Sequence, residues 1–171
     1  MALTRKTPLK RTPFKRKPKE DTLKSSDTPK KKVTRKKKPE KRKLIEKLDT
    51  VFSQYIRLKE ASPKSGLVRC ISCGAVHHWT KIQNGHYESR ANMATRWSES
   101  NCHPQCVACN VMQHGNMLAY RRAMVKKYGE NKVNQIEAFA HTTKKWSEWE
   151  LEEMIKYYTV LVKQLKAEKG L

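Results

Sequence analysis

The sequence predicts an α+β protein in which a small extended core sits between helices, behind a basic arm. Three observations carry that expectation. Residues 44–171 begin and end in stretches whose apolar residues recur at helical spacing. Between those stretches, two C-x-x-C pairs, Cys70/Cys73 and Cys106/Cys109, bracket segments with no helical period. Ahead of them, residues 1–43 hold five of the seven prolines and 19 basic against 4 acidic residues, so they carry +15 of the net +22.

That arm buries too little apolar surface to offset the entropy of ordering it, and residues 1–43 are expected to be disordered. Its basic repeat around Leu9–Arg16 suits an electrostatic tail; a solubility tail with no partner is the plainer alternative. From residue 44 to 61 a helix is expected, because Leu44, Ile45, Leu48, Val51, Phe52, Tyr55 and Ile56 form one stripe. Pro63 and Gly66 end it. Leu67–Ile71 reads as a strand running into Cys73-Gly74, and a second extended stretch covers Trp79–Tyr87, interrupted near Asn84-Gly85. Residues 88–104 read as a long ordered loop. Helical signal returns at Val107 and runs to Tyr128, with Gly129 as its cap. Residues 131–140 make a short helix. Ser147 and Glu150 form a capping box for a last helix that buries Leu151, Met154, Ile155, Tyr158, Leu161, Val162 and Leu165. The domain is therefore 44–171, with a core over 67–115 and a helical C-terminal region over 117–168.

Composition excludes several classes. No run approaches the roughly 18 consecutive apolar residues of a membrane span, and no apolar stretch follows the first basic residues as in a secretory signal. An intracellular protein with an acidic partner is expected. Nucleic acid is the leading partner and an anionic membrane surface the lesser one.

A two-residue gap lets both sulfurs of a C-x-x-C pair face one ion, and two such knuckles complete a tetrahedral thiolate site. Cys70, Cys73, Cys106 and Cys109 are accordingly expected to bind structural Zn2+. Disulfide pairing is the rival, disfavoured by the metal spacing and by the absence of secretory marks. Cys102 is the odd thiol, expected to be free and partly buried.

The insert between the knuckles carries His86 in an extended stretch and Asn101 in a loop; Asn110 follows Cys109, with His114 four residues later. A metal-dependent phosphodiesterase needs such parts. A neutral His can deprotonate water, a divalent ion can polarise a phosphate, and an Asn can orient the base or complete the metal shell. His77, His78 and His141 are read as structural.

Cys70-Ile71-Ser72-Cys73-Gly74, Gly85-His86-Tyr87 and the run Asn101-Cys102-His103-Pro104-Gln105-Cys106-Val107-Ala108-Cys109-Asn110 resemble the signature of HNH, or ββα-metal, nucleases. More narrowly they resemble the bacteriophage lambda NinG (Rap) recombination protein family. Gly115–Arg121 and Ile136-Glu137 resemble that family's downstream segment, so the resemblance spans residues 67–140. It implies a zinc-stapled ββα-metal core and a structure-selective endonuclease for branched DNA such as Holliday junctions and D-loops. It also implies a catalytic Mg2+ or Mn2+, phage or host recombination proteins as partners, and the bacterial host's cytoplasm as location. Carried over by position, His86 matches the general base, Asn101 the central asparagine, and Asn110 the third motif residue that helps hold the metal. His114 would join Asn110 at i, i+4 or be an ordinary surface histidine. Many HNH enzymes carry a metal-binding Asp before the base; here Gly85 stands there, and Glu88 and Glu99 are the nearest carboxylates.

Arg90, Arg96, Arg121, Arg122, Lys126 and Lys127 surround the site in sequence and are candidates for DNA phosphates, against the alternative of a solvated basic face. Trp79, Trp97, Trp146 and Trp149 could stack on unpaired bases, although the last two suit the core better. Paired cuts across a two-fold junction would call for a homodimer. The competing functions are a noncatalytic zinc-dependent DNA-binding accessory protein and a zinc-bearing RNA-binding module.

Overall fold

A computed structural model describes residues 40–171. Most of the arm (1–39) therefore lies outside the described residues, while residues 40–43 already belong to the first helix, α1 (Glu40–Glu60). There follow β1 (Leu67–Arg69), β2 (Val76–His78), β3 (Gln83–His86), β4 (Cys102–Gln105), a π-helical turn (Ala108–Met112), α2 (Met117–Tyr128), α3 (Glu130–Ala140) and α4 (Glu148–Lys169). The architecture is mixed: helices around two small antiparallel strand pairs, β1–β2 and β3–β4.

The periodic stretches behave as their spacing demands. α1 lays Leu48, Phe52, Tyr55 and Ile56 against Leu151, Ile155, Tyr158 and Val162 of α4, with Phe52 and Tyr158 edge-on at 4.9 Å between ring centroids. Ser147 caps α4 through the expected box with Glu150. The far end of α4 in turn caps α1: the Lys169 ammonium donates to the carbonyls of Leu58, Lys59 and Ala61 at 2.7, 2.9 and 2.6 Å. A cation on the last carbonyls of a helix satisfies orphan acceptors and opposes the dipole's negative end. Among the described residues no helix is long and apolar enough to cross a membrane.

Several boundaries differ from the sequence expectation. The first strand stops at Arg69, because Cys70 begins a knuckle turn in which the Gly74 N–H returns to the Cys70 carbonyl. Of the stretch around Trp79–Tyr87 only β3 is extended, and it runs unbroken through Asn84-Gly85, where the sequence suggests an interruption; residues 79–82 form a turn, and β2 lies before the stretch. The 88–104 loop ends in β4, whose Cys102–Gln105 pair residue for residue with β3. The helix expected from Val107 to Tyr128 is broken: the π-turn ends at Met112, and His114, Gly115 and Asn116 all take positive φ (48°, 90° and 42°) before α2 starts. Trp97 is buried and cannot stack on a base, while Trp149, expected in the core, is exposed. Cys102 is fully buried, and burial pushes its thiol pKa far up.

β4 also carries His103 into the core, 1 % exposed. Its Nδ1 lies 3.3 Å from the Tyr120 hydroxyl and its Nε2 2.8 Å from the Tyr128 hydroxyl. Burial, reinforced by the Lys127 and Lys59 charges, drives its pKa down to about 3. The folded value lies below the unfolded one of about 6.5, so this stabilisation is complete above that pH and is lost as pH falls toward the folded value. The slope is about 1.4 kcal/mol per pH unit. Urea unfolding at pH 7 and pH 5 should therefore show wild type losing about 2 kcal/mol more than His103→Gln; equal losses would mean that His103 is not buried neutral.

Candidate functional site

The four knuckle thiols come together. Their sulfurs all lie within 4.8 Å of one another, with Cys73 and Cys106 3.7 Å apart. A tetrahedral ion with metal–sulfur bonds of about 2.3 Å requires sulfurs about 3.8 Å apart, so the cluster could hold a metal ion such as zinc. Cys70, Cys106 and Cys109 are buried and Cys73 is exposed. The two knuckles differ in build. Gly74, at φ 75°, turns the first. The second runs from the end of β4 into the π-turn, where the Gly115 N–H bonds the Cys109 carbonyl at 2.9 Å. Burial raises the Cys70 thiol, but backbone N–H groups of Cys106, Cys73 and Ser72 together outweigh it and bring the pKa to about 7.

Beside the thiols, strand alternation sorts residues 84–88. Gly85 and Tyr87 are buried and Asn84, His86 and Glu88 only partly so; together with an edge of Tyr87 these three line an open cleft of about 490 Å3. Its other wall is Asn110, His114, Gly115 and Met117. The cleft thus gathers His86, Asn110, His114 and Arg90 of the residues expected from sequence. Asn110 and His114 do not share a helix face, since the chain leaves the π-turn before His114; the left-handed turn delivers His114 to the cleft instead. The Asn110 amide donates to Gln83 Oε1 at 2.7 Å, which leaves its oxygen uncommitted.

His86 is half-buried, and burial lowers its pKa below the ordinary imidazole value, which favours the neutral ring at pH 7. Its Nε2 lies 3.1 Å from the Arg96 carbonyl. A carbonyl only accepts, so Nε2 carries the proton and Nδ1 keeps its lone pair, with no protein partner among the described residues. Asn101, fully buried, does not line the cleft. Its side chain grips the loop on both sides of Glu88, accepting from the Glu88 N–H (2.7 Å) and donating to the Glu88 carbonyl (3.0 Å) and the Thr95 carbonyl (3.1 Å). It therefore positions Glu88 and is not itself available to a ligand.

No side chain could replace Gly85 without movement: a Cβ there would sit 2.8 Å from the Gln105 Cβ. Of the two nearest carboxylates, Glu88 lines the cleft, and burial foremost raises its pKa. Glu99 is held by Lys59 away from it.

The expected phosphate-binding cations divide into two groups. Arg121 is held by Glu130 and Glu137, Lys127 by Glu60, and Arg96 by Asp49, so three of the six are already neutralised. Arg122 and Lys126, four apart on α2, are exposed and have no ion pair among the described residues, and Arg90 is mostly exposed with a single contact to Asp49. Asp49 was not legible as a functional residue; its only signal is an acid set between the apolar Leu48 and the apolar pair Val51-Phe52.

The family model described as "Bacteriophage Lambda NinG protein" matches residues 2–168. The chain is 33 % identical over 98 residues to "Protein ninG" of Escherichia phage lambda, covering 57 % of this chain and 47 % of that protein. The protein of the same name from Salmonella phage P22 gives the same identity and coverage. That of Enterobacteria phage H19B is 34 % identical over 79 residues, 46 % of this chain and 38 % of its own. The matched stretch thus spans about half the length of these relatives or less. No solved structure matches.

Two measurements check the site. Purified protein should contain one zinc per chain by elemental analysis, and Cys106→Ser should lose it together with the folded signal in circular dichroism, since a structural zinc contributes on the order of 10 kcal/mol. Asn101→Ala should lower stability by about 1–3 kcal/mol through the Glu88 N–H left unpaired, with zinc content unchanged.

Proposed function

This chain belongs to the bacteriophage lambda NinG family, and from that premise we propose that it is a metal-dependent endonuclease of the HNH class acting on branched DNA. The observation that carries the reading is the convergence of His86, Glu88, Asn110 and His114 on one cleft beside a four-thiol cluster. The β3–β4 pair followed by the turn holding Asn110 supports a ββα-metal arrangement, with the thiols as its zinc staple.

The donor set fits a hard divalent cation: a carboxylate at Glu88, an amide oxygen at Asn110 whose nitrogen is occupied by Gln83, and an imidazole at His114. When bound, Mg2+ or Mn2+ would polarise the scissile phosphate and stabilise the departing oxygen. The remaining chemistry belongs to the chain. His86, held neutral by burial, takes a proton from water at Nδ1 as the water oxygen bonds phosphorus and the P–O bond to the leaving oxygen breaks. Asn101 holds Glu88 in place. Of the six candidate cations, Arg90, Arg122 and Lys126 are left free enough to meet phosphates.

Around this centre the reading includes a homodimer on two-fold junctions, recombination proteins of phage or host as further partners, and action in the host cytoplasm. A noncatalytic DNA-binding accessory is the second reading, favoured by the packed Gly85 where a carboxylate would otherwise precede the base. The discriminating experiment incubates four-way, forked and linear DNA with wild type and His86→Ala, with and without Mg2+ or Mn2+. Metal-dependent cleavage of the branched substrates should fall about 10²–10⁴-fold in the variant, with junction binding unchanged. Absence of cleavage by wild type on all three substrates would leave the accessory reading.

A further inference from the structure

The side chain that holds the loop against which His86 rests lies on α1, outside the strands and turn that form the cleft wall. The Asp49 carboxylate accepts four hydrogen bonds, all from one loop. Arg96 donates Nε to Oδ1 at 2.9 Å and Nη2 to Oδ2 at 2.6 Å. Trp97 Nε1 reaches Oδ1 at 3.0 Å and Arg90 Nη2 reaches Oδ2 at 3.1 Å. The Arg96 contact is a two-pronged fork on a side chain only 12 % exposed, the geometry in which such a pair is strongest and most specific. Arg96 Nη1 also donates to the Arg90 carbonyl at 2.7 Å, drawing both ends of the 90–96 loop onto the same guanidinium.

The loop's peptide at residue 96 is also what His86 touches. The Arg96 carbonyl accepts from His86 Nε2 at 3.1 Å and from the Cys102 thiol at 3.5 Å. It lies outside the β3–β4 ladder, so the side-chain clamp on Arg96 and Trp97, with the Asn101 bond to Thr95, determines where it points. A His whose second nitrogen is held by a fixed acceptor keeps one tautomer and one ring orientation.

We propose that Asp49 is a positioning residue for His86: by forking Arg96 it fixes the carbonyl that holds Nε2–H, so that Nδ1 is the nitrogen left to accept a proton. The inference rests on the reading of His86 as the base, but its first consequence is structural. It makes α1 part of the site's machinery as well as a packing partner of α4. It also removes Arg96 from the set of DNA-binding cations.

The test uses the full, zinc-loaded chain and two substitutions. Asp49→Asn keeps the size but replaces one accepting oxygen with a donor; Arg96→Lys keeps the charge but loses the fork. Long-range proton–nitrogen NMR on labelled histidine, without Mg2+ or Mn2+ or DNA, should show His86 in wild type as a single Nε2–H tautomer. Both variants should show a mixture or the Nδ1–H form, with zinc content and melting cooperativity retained. In cleavage assays the rate at saturating DNA should drop roughly ten- to hundredfold with KM unchanged, as for a displaced catalytic group. If Asp49→Asn does not fold, Arg96→Lys decides alone. A single Nε2–H tautomer in a folded variant, or a mixture in wild type, would overturn the proposal. If wild type shows the expected tautomer but cleaves no DNA, the nuclease reading fails while the clamp stands.

Discussion

The four-thiol cluster is the constraint on which the cleft depends. Cys70 and Cys73 follow β1, and Cys106 and Cys109 join β4 to the π-turn, so gathering the sulfurs pins two strand pairs to one another. Hydrogen bonds such as the Ile71 N–H to the Pro104 carbonyl and the Gln105 amide to the Ser72 hydroxyl help, but they are few. The strands have three or four residues each, and the apolar cluster around the knuckles is small: Ala61, Val68 and Ile82 with Cys70, Cys106 and Cys109. Strand pairs this short do not hold their shape unaided in water. Once the sulfurs are held, Asn110 is placed by the residue before it, and the Gly115 N–H on the Cys109 carbonyl sets the turn that brings His114 to the opposite wall.

Around that staple the fold handles charge with economy. Several of its acids are engaged internally: Asp49 with Arg96 and Arg90, Glu137 with Arg121 and the Tyr87 hydroxyl, Glu60 with Lys127, Glu99 with Lys59. The exposed ones contribute little stability individually, unlike the mostly buried Asp49–Arg96 fork. Their consequence is directional, because they fix loops and leave a particular subset of cations unpaired. Arg122 and Lys126 stay exposed on α2, next along the chain from Met117 at the cleft wall. The charge excess of the sequence therefore overstates how many cations are available to a polyanion at this face.

The long helices were legible because their period is long and repeated. α1 and α4 each run for more than 20 residues, and the last also announced its start through Ser147 and Glu150. The thiol set was legible because C-x-x-C spacing is set by local geometry. The break between Cys109 and Met117 was masked by the apolar pattern running into it, although His114, Gly115 and Asn116 are residue types that readily take positive φ. Val111 and Met112 continue an apolar pattern while standing exposed. The difference between Trp97, buried, and Trp149, exposed, was equally hidden, since one sits under the Asp49 clamp and the other beyond the α4 seam.

By itself the sequence determined the family, the element types at both ends, the four thiols and part of the cleft lining: His86, Asn110, His114 and Arg90. These follow from local spacing and from residue chemistry that does not depend on distant partners. Only the tertiary structure decided which groups in and around the cleft stay available. Asn101 became a pin and not a ligand, Glu88 became the cleft's carboxylate, Arg96 went to Asp49, and Nδ1 of His86 was left open. Each role depends on which hydrogen-bonding groups are already satisfied, and that is settled by partners up to about fifty residues away along the chain, where sequence spacing carries no signal.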